Sequence, residues 1–146
     1  MKLTIAWIGK TKNPAIQSLT DEYLKRVKQY AEVEGITLKD EAGLLRLTGR
    51  DGRSPRRRLA LLDSRGKQLT SEELAEFVCE HYDTNTPLIF AIGPADGFTE
   101  DLRRHSDFTL SLGTMTLAHE LARVVLLEQV YRAFTILKRH PYHLGH

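Results

Sequence analysis

The chain has 146 residues, an ordinary globular balance of 41% hydrophobic and 27% charged residues, and a formal net charge of +2. That length suits one domain with a real core, and no apolar run is long enough to span a membrane. A single cysteine, Cys79, excludes an internal disulfide and fits a reducing compartment. The N-terminus lacks the apolar length and small-residue cleavage site of a secretory signal, so a cytoplasmic protein is expected.

Lys2 to Ile8 reads as a strand buried on both faces, ended by Gly9. Asn13-Pro14 is a helix start, since Asn caps and Pro suits the first turn. Ile16, Leu19, Tyr23, Val27 and Tyr30 recur at helical spacing and predict its apolar face. Gly35 breaks that pattern, and Ile36 to Lys39 is a weak strand. Glu41 to Arg57 carries Gly43, Gly49, Gly52 and Pro55 and has no period. It reads as a connection with at most a helical turn near Leu44 to Leu47. It also concentrates charge: Arg46, Arg50, Arg53, Arg56, Arg57 and Arg58 are relieved only by Asp51, a local positive field that suits an RNA backbone.

Leu59 to Leu62 predicts a short strand ending at Asp63, with Ser64 to Lys67 as a turn. Thr70 and Glu73 form a capping-box pattern, so a helix runs from Ser71 to about Tyr82, with Leu74, Phe77, Val78 and His81 on its apolar face. Cys79 within it reads as a small buried residue. Pro87 to Ile92 is a further buried strand, Gly93 to Gly97 a tight loop, Thr99 to His105 a short helix, and Phe108 to Leu112 a strand. A loop of small residues follows, then a long helix from near Ala118, broken at Pro141. On that helix Glu128, Arg132, Thr135 and Arg139 form a narrow polar stripe, and Leu121, Val124, Val125, Leu126, Leu127, Val130, Tyr131, Phe134, Ile136 and Leu137 cover most of the remainder. Two buried sides are therefore expected, one against the sheet and one against a second copy.

Strands alternating with helices predict an α/β fold with a mainly parallel sheet flanked by helices. Ligands of such sheets bind beyond the carboxyl ends of the strands. Three segments leave those ends: Asp63–Gly66, Gly93–Gly97 and Gly113–Ala118. None matches GxxxxGK[ST] or GxGxxG, so a pyrophosphate ligand is not favoured and an adenosine-like body without phosphates suits them better. His140, His143 and His146 recur every third residue, but with no helix after Pro141 and no Cys or carboxylate beside them no metal site is expected.

Four ordered motifs carry a specific resemblance: LLDSRGKQLTSEELAEF from Leu61, AIGPADGF from Ala91, LSLGTMTLAHELARVVLLEQVYRAF from Leu110, and HPYH from His140. Together they resemble the RlmH (YbeA) family of SPOUT-class methyltransferases, closely from about Leu59 onward and more loosely over Met1 to Tyr30. The resemblance implies a single α/β domain over residues 1–146, a C-terminal trefoil knot and a homodimer. It implies S-adenosyl-L-methionine as cofactor and methylation of a pseudouridine N3 in 23S rRNA, in the assembled ribosome, with no membrane or DNA partner. Carried over by position, the cofactor contacts are Leu62, Gly93, Pro94, Gly113, Thr114, Met115, Thr116, Leu117 and Ala118. Arg132, Tyr142 and His143 fall at the catalytic positions. His143 is the candidate base for the N3 proton, and Arg132 the cation that stabilises the uracil-like anion.

Departures from the family are Gly93-Pro94 where it carries Gly-Gly, the Gly- and Arg-rich segment 41–57, and the ending Leu144-Gly145-His146. The alternative function on the same scaffold is a non-catalytic ribosome- or RNA-binding protein with a degraded cofactor loop. Pro94, which has no N–H to offer, is the residue in its favour. A small-molecule enzyme of flavodoxin-like shape is a third reading, and the missing phosphate loop weighs against it.

Overall fold

The computed structural model describes Met1–Arg139. Among these residues the chain forms five strands and five helices in near-strict alternation: β1 (Lys2–Ile8), α1 (Pro14–Val27), β2 (Glu32–Leu38), α2 (Glu41–Leu47), β3 (Arg58–Gln68), α3 (Ser71–Asp83), β4 (Leu88–Ile92), α4 (Glu100–Arg104), β5 (Phe108–Ser111) and α5 (His119–Leu137). The strands make one sheet in the order β2-β1-β4-β3-β5, and every neighbouring pair is parallel. The α/β alternation and the parallel sheet expected from the pattern are both present.

Alternate residues of each strand face opposite layers, which divides the core in two. Leu3, Ile5, Trp7, Leu88, Phe90, Ile92 and Leu110 pack under α1, α3 and α5. Ala6, Ile8, Leu59, Leu61, Ile89 and Ala91 pack against Leu44 of α2 and Phe98 and Leu102 around α4. Both capping signals take their expected form. The Asn13 side-chain oxygen accepts from the Ala15 amide at 2.9 Å, while Thr70 and Glu73 bond each other's backbone amides at 3.1 and 2.9 Å.

Several expectations are corrected. β2 is a full seven-residue strand rather than a weak one at Ile36–Lys39. Gly35 lies inside it because a Cβ there would come within 2.8 Å of the Trp7 ring. Segment 41–57 begins with a real helix, capped by Asp40 accepting from Gly43 N–H at 3.0 Å. Its stability comes from burial of Leu44 against the sheet, which no short apolar period announces. On α1 Leu19 points outward, and Thr20 takes the buried place with its hydroxyl donating to the Ile16 carbonyl at 2.7 Å. On α5 the polar stripe is broken, because Thr135 is fully buried and its hydroxyl donates to the Arg132 carbonyl. Cys79 is half-buried rather than buried. Its thiol donates to Asp83 at 3.4 Å, and that bond, with burial, pushes the thiol up and keeps it protonated.

The largest correction lies in β3. Ser64 to Lys67 does not end the strand. Leu62 and Lys67 both pair with Leu110 of β5, so the intervening residues bulge out and the strand resumes to Gln68. The reason is Asp63, whose carboxylate closes the bulge on itself by accepting from the Arg65 amide at 2.9 Å and from the Arg65 guanidinium at 3.2 Å.

Candidate active site

The β3 bulge, the loop after β4 and the loop after β5 meet at the carboxyl edge of the sheet, around a cavity of about 310 Å³. Leu62 to Arg65 line it from the first segment, Ile92 to Gly97 from the second, and Leu110 to Gly113 with Met115, Thr116 and Leu117 from the third. His119 and Ala122 of α5 complete the wall with Arg103 of α4. This is the crevice expected from parallel topology, formed at the position where open α/β sheets take ligands. Of the residues named from sequence, Leu62, Gly93, Pro94, Gly113, Met115, Thr116 and Leu117 line the cavity. Thr114 and Ala118 belong to the same loop but not to the lining. Tyr142 and His143 lie outside the described residues, as do His140 and His146.

Each wall has a local cause. Pro94 opens a turn, its carbonyl accepting from Gly97 N–H at 2.9 Å. Gly113 is held at φ +142°, a conformation that side-chain-bearing residues rarely adopt, and a Cβ there would meet nothing within 4 Å. The Ser111 hydroxyl donates to the Gly113 carbonyl at 2.9 Å and accepts from its amide at 3.2 Å, so the strand's last residue shapes the loop.

Asp63 is the electrostatic keystone of the bulge. Burial alone raises its pKa. The Arg65 amide, the Arg65 guanidinium and the Arg103 guanidinium outweigh burial and hold it below the ordinary carboxylate range. Arg103 donates to Asp63 Oδ2 at 3.3 Å, to the Phe98 carbonyl at 2.7 Å and to Glu100 at 2.8 Å, so it ties the bulge to the start of α4. Both carboxylate oxygens are therefore engaged within the chain, and Asp63 shapes the cavity wall. Because its folded pKa is depressed, its contribution is fully present above the unfolded value and is lost as pH falls through the folded one. We expect Asp63→Asn to cost roughly 2 kcal/mol at pH 7. The difference from the parent should shrink below about pH 4, as checked by urea melts across pH.

Sequence reasoning missed Glu120 and Arg123, on the first turns of α5. The Glu120 carboxylate accepts from the amides of Lys12 at 2.9 Å and Asn13 at 3.2 Å. Arg123 is fully buried; it donates to Thr11 Oγ1 at 2.8 Å and to the Gly9 carbonyl at 3.1 Å, and lies 5.5 Å from the Trp7 ring. Ala118, at the N-cap, supplies no side-chain bond, so these two grips hold the start of α5 against the β1–α1 loop. The available signal was a charge at position 123 on the same helical face as Leu126, Leu127 and Val130, since a buried cation demands partners.

Arg132 is not in the cavity wall. It pairs with Glu128 one turn earlier. It lies ten residues beyond Ala122, which is about 15 Å along the helix axis. Leu121 (44% exposed) lies on the outer flank of α5, and Met115 (83% exposed) stands at the lip of the cavity.

Residues 1–143 match a family model described as "Predicted SPOUT methyltransferase". The chain belongs to the SPOUT methyltransferases. Relatives named "Ribosomal RNA large subunit methyltransferase H" include one from Koribacter versatilis, 55% identical over all of both chains. Another from Geobacter sulfurreducens is 45% identical over 98% of this chain and 99% of the relative. Solved structures agree on the SPOUT architecture. A probable methylase family protein from Haemophilus influenzae superposes with a TM-score of 0.61 at 13% identity, over 96% of this chain and 69% of that one. The SpoU methyltransferase AviRb from Streptomyces viridochromogenes, solved with AdoMet, gives 0.52 at 12% identity, over 88% and 56%. In this SPOUT chain, then, the crevice built by the β3 bulge and the loops after β4 and β5 is the candidate catalytic centre.

Proposed function

We propose that the chain is an S-adenosyl-L-methionine-dependent methyltransferase acting on pseudouridine N3 of 23S rRNA in the large ribosomal subunit. The observation that carries this reading is the convergence of the three strand-end segments on one crevice, in a chain 55% identical along its whole length to a ribosomal RNA large subunit methyltransferase H. The cavity suits the cofactor. Its volume falls in the range of small-molecule sites, Leu62, Ile92, Leu112 and Leu117 supply apolar walls, and loop amides supply donors for a purine edge. Gly113 lets the chain pass close to a ligand at a φ that no larger residue holds easily. Pro94 has no N–H, so from the second loop the donors are its neighbours.

Bound there, the cofactor supplies an electrophilic methyl group. The rest of the task falls to this chain's residues. The three segments fix the donor's position and leave one side open to the substrate base, and alignment of the partners is the main source of rate in such a displacement. As the methyl–nitrogen bond forms, the N3 proton must go to a base. We assign that role to His143, with Tyr142 as a further catalytic residue and Arg132 stabilising the negative charge on the uracil-like ring.

A distance of about 15 Å along α5 separates Arg132 from the crevice of its own chain. A second copy packed antiparallel along α5 would carry its Arg132 over that crevice, and the partly exposed apolar flank containing Leu121, Val124 and Val125 suits such packing. We therefore read the active form as a homodimer with two composite sites, each chain a single domain whose C-terminal part forms the trefoil knot. The knot is carried over from the family resemblance, and α5 packs between α1 and α3 after edge strand β5. No helix among the described residues is long and apolar enough to cross a membrane, and the cytoplasm, where ribosomes are, is the proposed setting.

Calorimetric titration with S-adenosylhomocysteine should give saturable binding. Ribosomes from a strain lacking this protein should accept one labelled methyl per large subunit, at a pseudouridine. Sedimentation should give a dimer at micromolar concentration. Absence of binding at high micromolar ligand would leave the non-catalytic RNA-binding alternative.

A further inference from the structure

The arginine segment between α2 and β3 is neither a loose linker nor part of the crevice. Its ends are tied together by the Arg57 amide donating to the Thr48 carbonyl at 3.0 Å. Within it Gly52 N–H donates to the Gly49 carbonyl at 3.1 Å, and Asp51 accepts from the Arg53 amide at 3.0 Å. Gly49 sits at φ +72°, and a Cβ there would come within 2.4 Å of the Ser54 and Pro55 carbonyls, so the loop is folded tightly back on itself. Two of its arginines anchor it. Arg50 donates to Asp107 at 3.2 Å, and Arg57 to Thr4 Oγ1 at 3.3 Å, with Glu34 at 3.8 Å.

Its other two, Arg53 and Arg56, together with Arg46 on the last turn of α2 and Arg58 at the start of β3, are exposed and make no ion pair among the described residues. The loop leads into the first residue of β3, so it stands at the amino edge of the parallel sheet, whereas the crevice lies at the carboxyl edge. The four steps of β3 from Arg58 to Leu62 separate the two by roughly 13 Å. A tied surface with four exposed arginines and one acid, Asp51, that already accepts from the Arg53 amide, offers planar, weakly hydrated donor forks that match phosphate oxygens better than they match water or isolated carboxylates.

We propose that this loop is a second RNA-binding surface, gripping the phosphate backbone of the substrate away from the base being methylated. It rests on the rRNA methyltransferase reading and adds to it a contact that supplies affinity and orientation without touching the reacting atoms. Holding the four guanidiniums on a tied loop and the element ends that flank it removes part of the ordering cost that a flexible basic tail would incur on binding.

The test measures ribosome methylation by the full chain across salt concentrations, for the parent, R53Q/R56Q, R46Q/R53Q/R56Q/R58Q, R53K/R56K and a control that removes two exposed charges in the last turn and C-cap of α1, K25Q/K28Q. The salt slope of log(kcat/KM) should flatten by about 0.7–0.9 per phosphate contact removed, hence by roughly 1.5 in the double variant and roughly 3 in the quadruple. The loss should fall in KM, roughly tenfold for the double variant at physiological salt. R53K/R56K should recover the slope and part of the KM, and K25Q/K28Q should match the parent. S-adenosylhomocysteine affinity, read by calorimetry, should stay at the parent's value throughout. A parent that methylates ribosomes while the quadruple variant keeps its KM and slope overturns the proposal. So does a defect that K25Q/K28Q shares, or one that disappears on protein-free rRNA, since the partner would then be a protein. A parent that transfers no methyl group at all defeats the underlying reading instead.

Discussion

Gly113→Ala should weaken S-adenosylhomocysteine binding by one to two orders of magnitude and leave the fold intact. The added methyl meets no atom within 4 Å, so packing is not disturbed. The cost is in the backbone. A φ of +142° is available to glycine and strained for alanine, by about 1–3 kcal/mol. The loop relieves that strain by rotating, and rotation withdraws Met115, Thr116 and Leu117 from the cavity wall they share with Gly113. Thermal melts of the unliganded protein should move by no more than a few degrees while calorimetry records the lost affinity. If affinity is unchanged, the loop after β5 does not hold the cofactor, and the assignment of residues 113–118 fails.

Arg123→Met should destabilise the fold by about 3 kcal/mol, more than Asp63→Asn does. Methionine fills much of the volume but donates nothing to Thr11 or to the carbonyls of Ile8 and Gly9, which lose the partners that Arg123 gives them. Burial already pulls the Arg123 pKa down, opposed by nearby Glu120, so the guanidinium is held in place by its hydrogen bonds rather than by solvation. For a chain of this length the loss corresponds to a fall of roughly 10 °C in Tm. Arg123→Lys keeps the charge without the planar fork and should fall between the two. Glu120→Gln should be mild by comparison. The carboxylate is held below its usual range first by the Asn13 amide and then, against burial, by the Lys12 amide, and a neutral oxygen still accepts from both. A Tm for Arg123→Met within 2 or 3 °C of the parent would show that the β1–α1 loop is held to α5 by packing alone.

Helix caps, buried strands and small-residue loops were legible because each is written in neighbouring residues. Asn13-Pro14 and Thr70 with Glu73 set two helix starts through side chains acting within three positions. PLIFAI reads as a strand covered on both faces, which Leu88–Ile92 forms, and it lies parallel to β1. From there the crevice at the carboxyl edge followed from topology, with most of the residues that line it. The four-motif pattern identified the family because it constrains residues far apart in the chain at once.

What stayed hidden depends on partners remote in sequence. Nothing near Asp63 shows that Arg103, forty residues later, will brace it, or that the apparent turn at Ser64–Lys67 is a bulge in a strand that continues. Nothing near Arg123 names Thr11 as its acceptor. Gly35 looks like a breaker until Trp7 of the adjacent strand is seen to fill the space a side chain would need. The arginine run was plain as a charge, yet its rigidity and its place at the edge opposite the crevice come from ties to Thr4, Glu34 and Asp107 on other elements. Short-range hydrogen bonding and hydrophobic period act over a few residues, so the sequence alone determined most of the elements, the parallel sheet and the edge at which the crevice forms. Burying charged side chains requires partners from distant parts of the chain, so only the tertiary structure decided which charges brace the walls of the crevice and which stay exposed at the opposite edge.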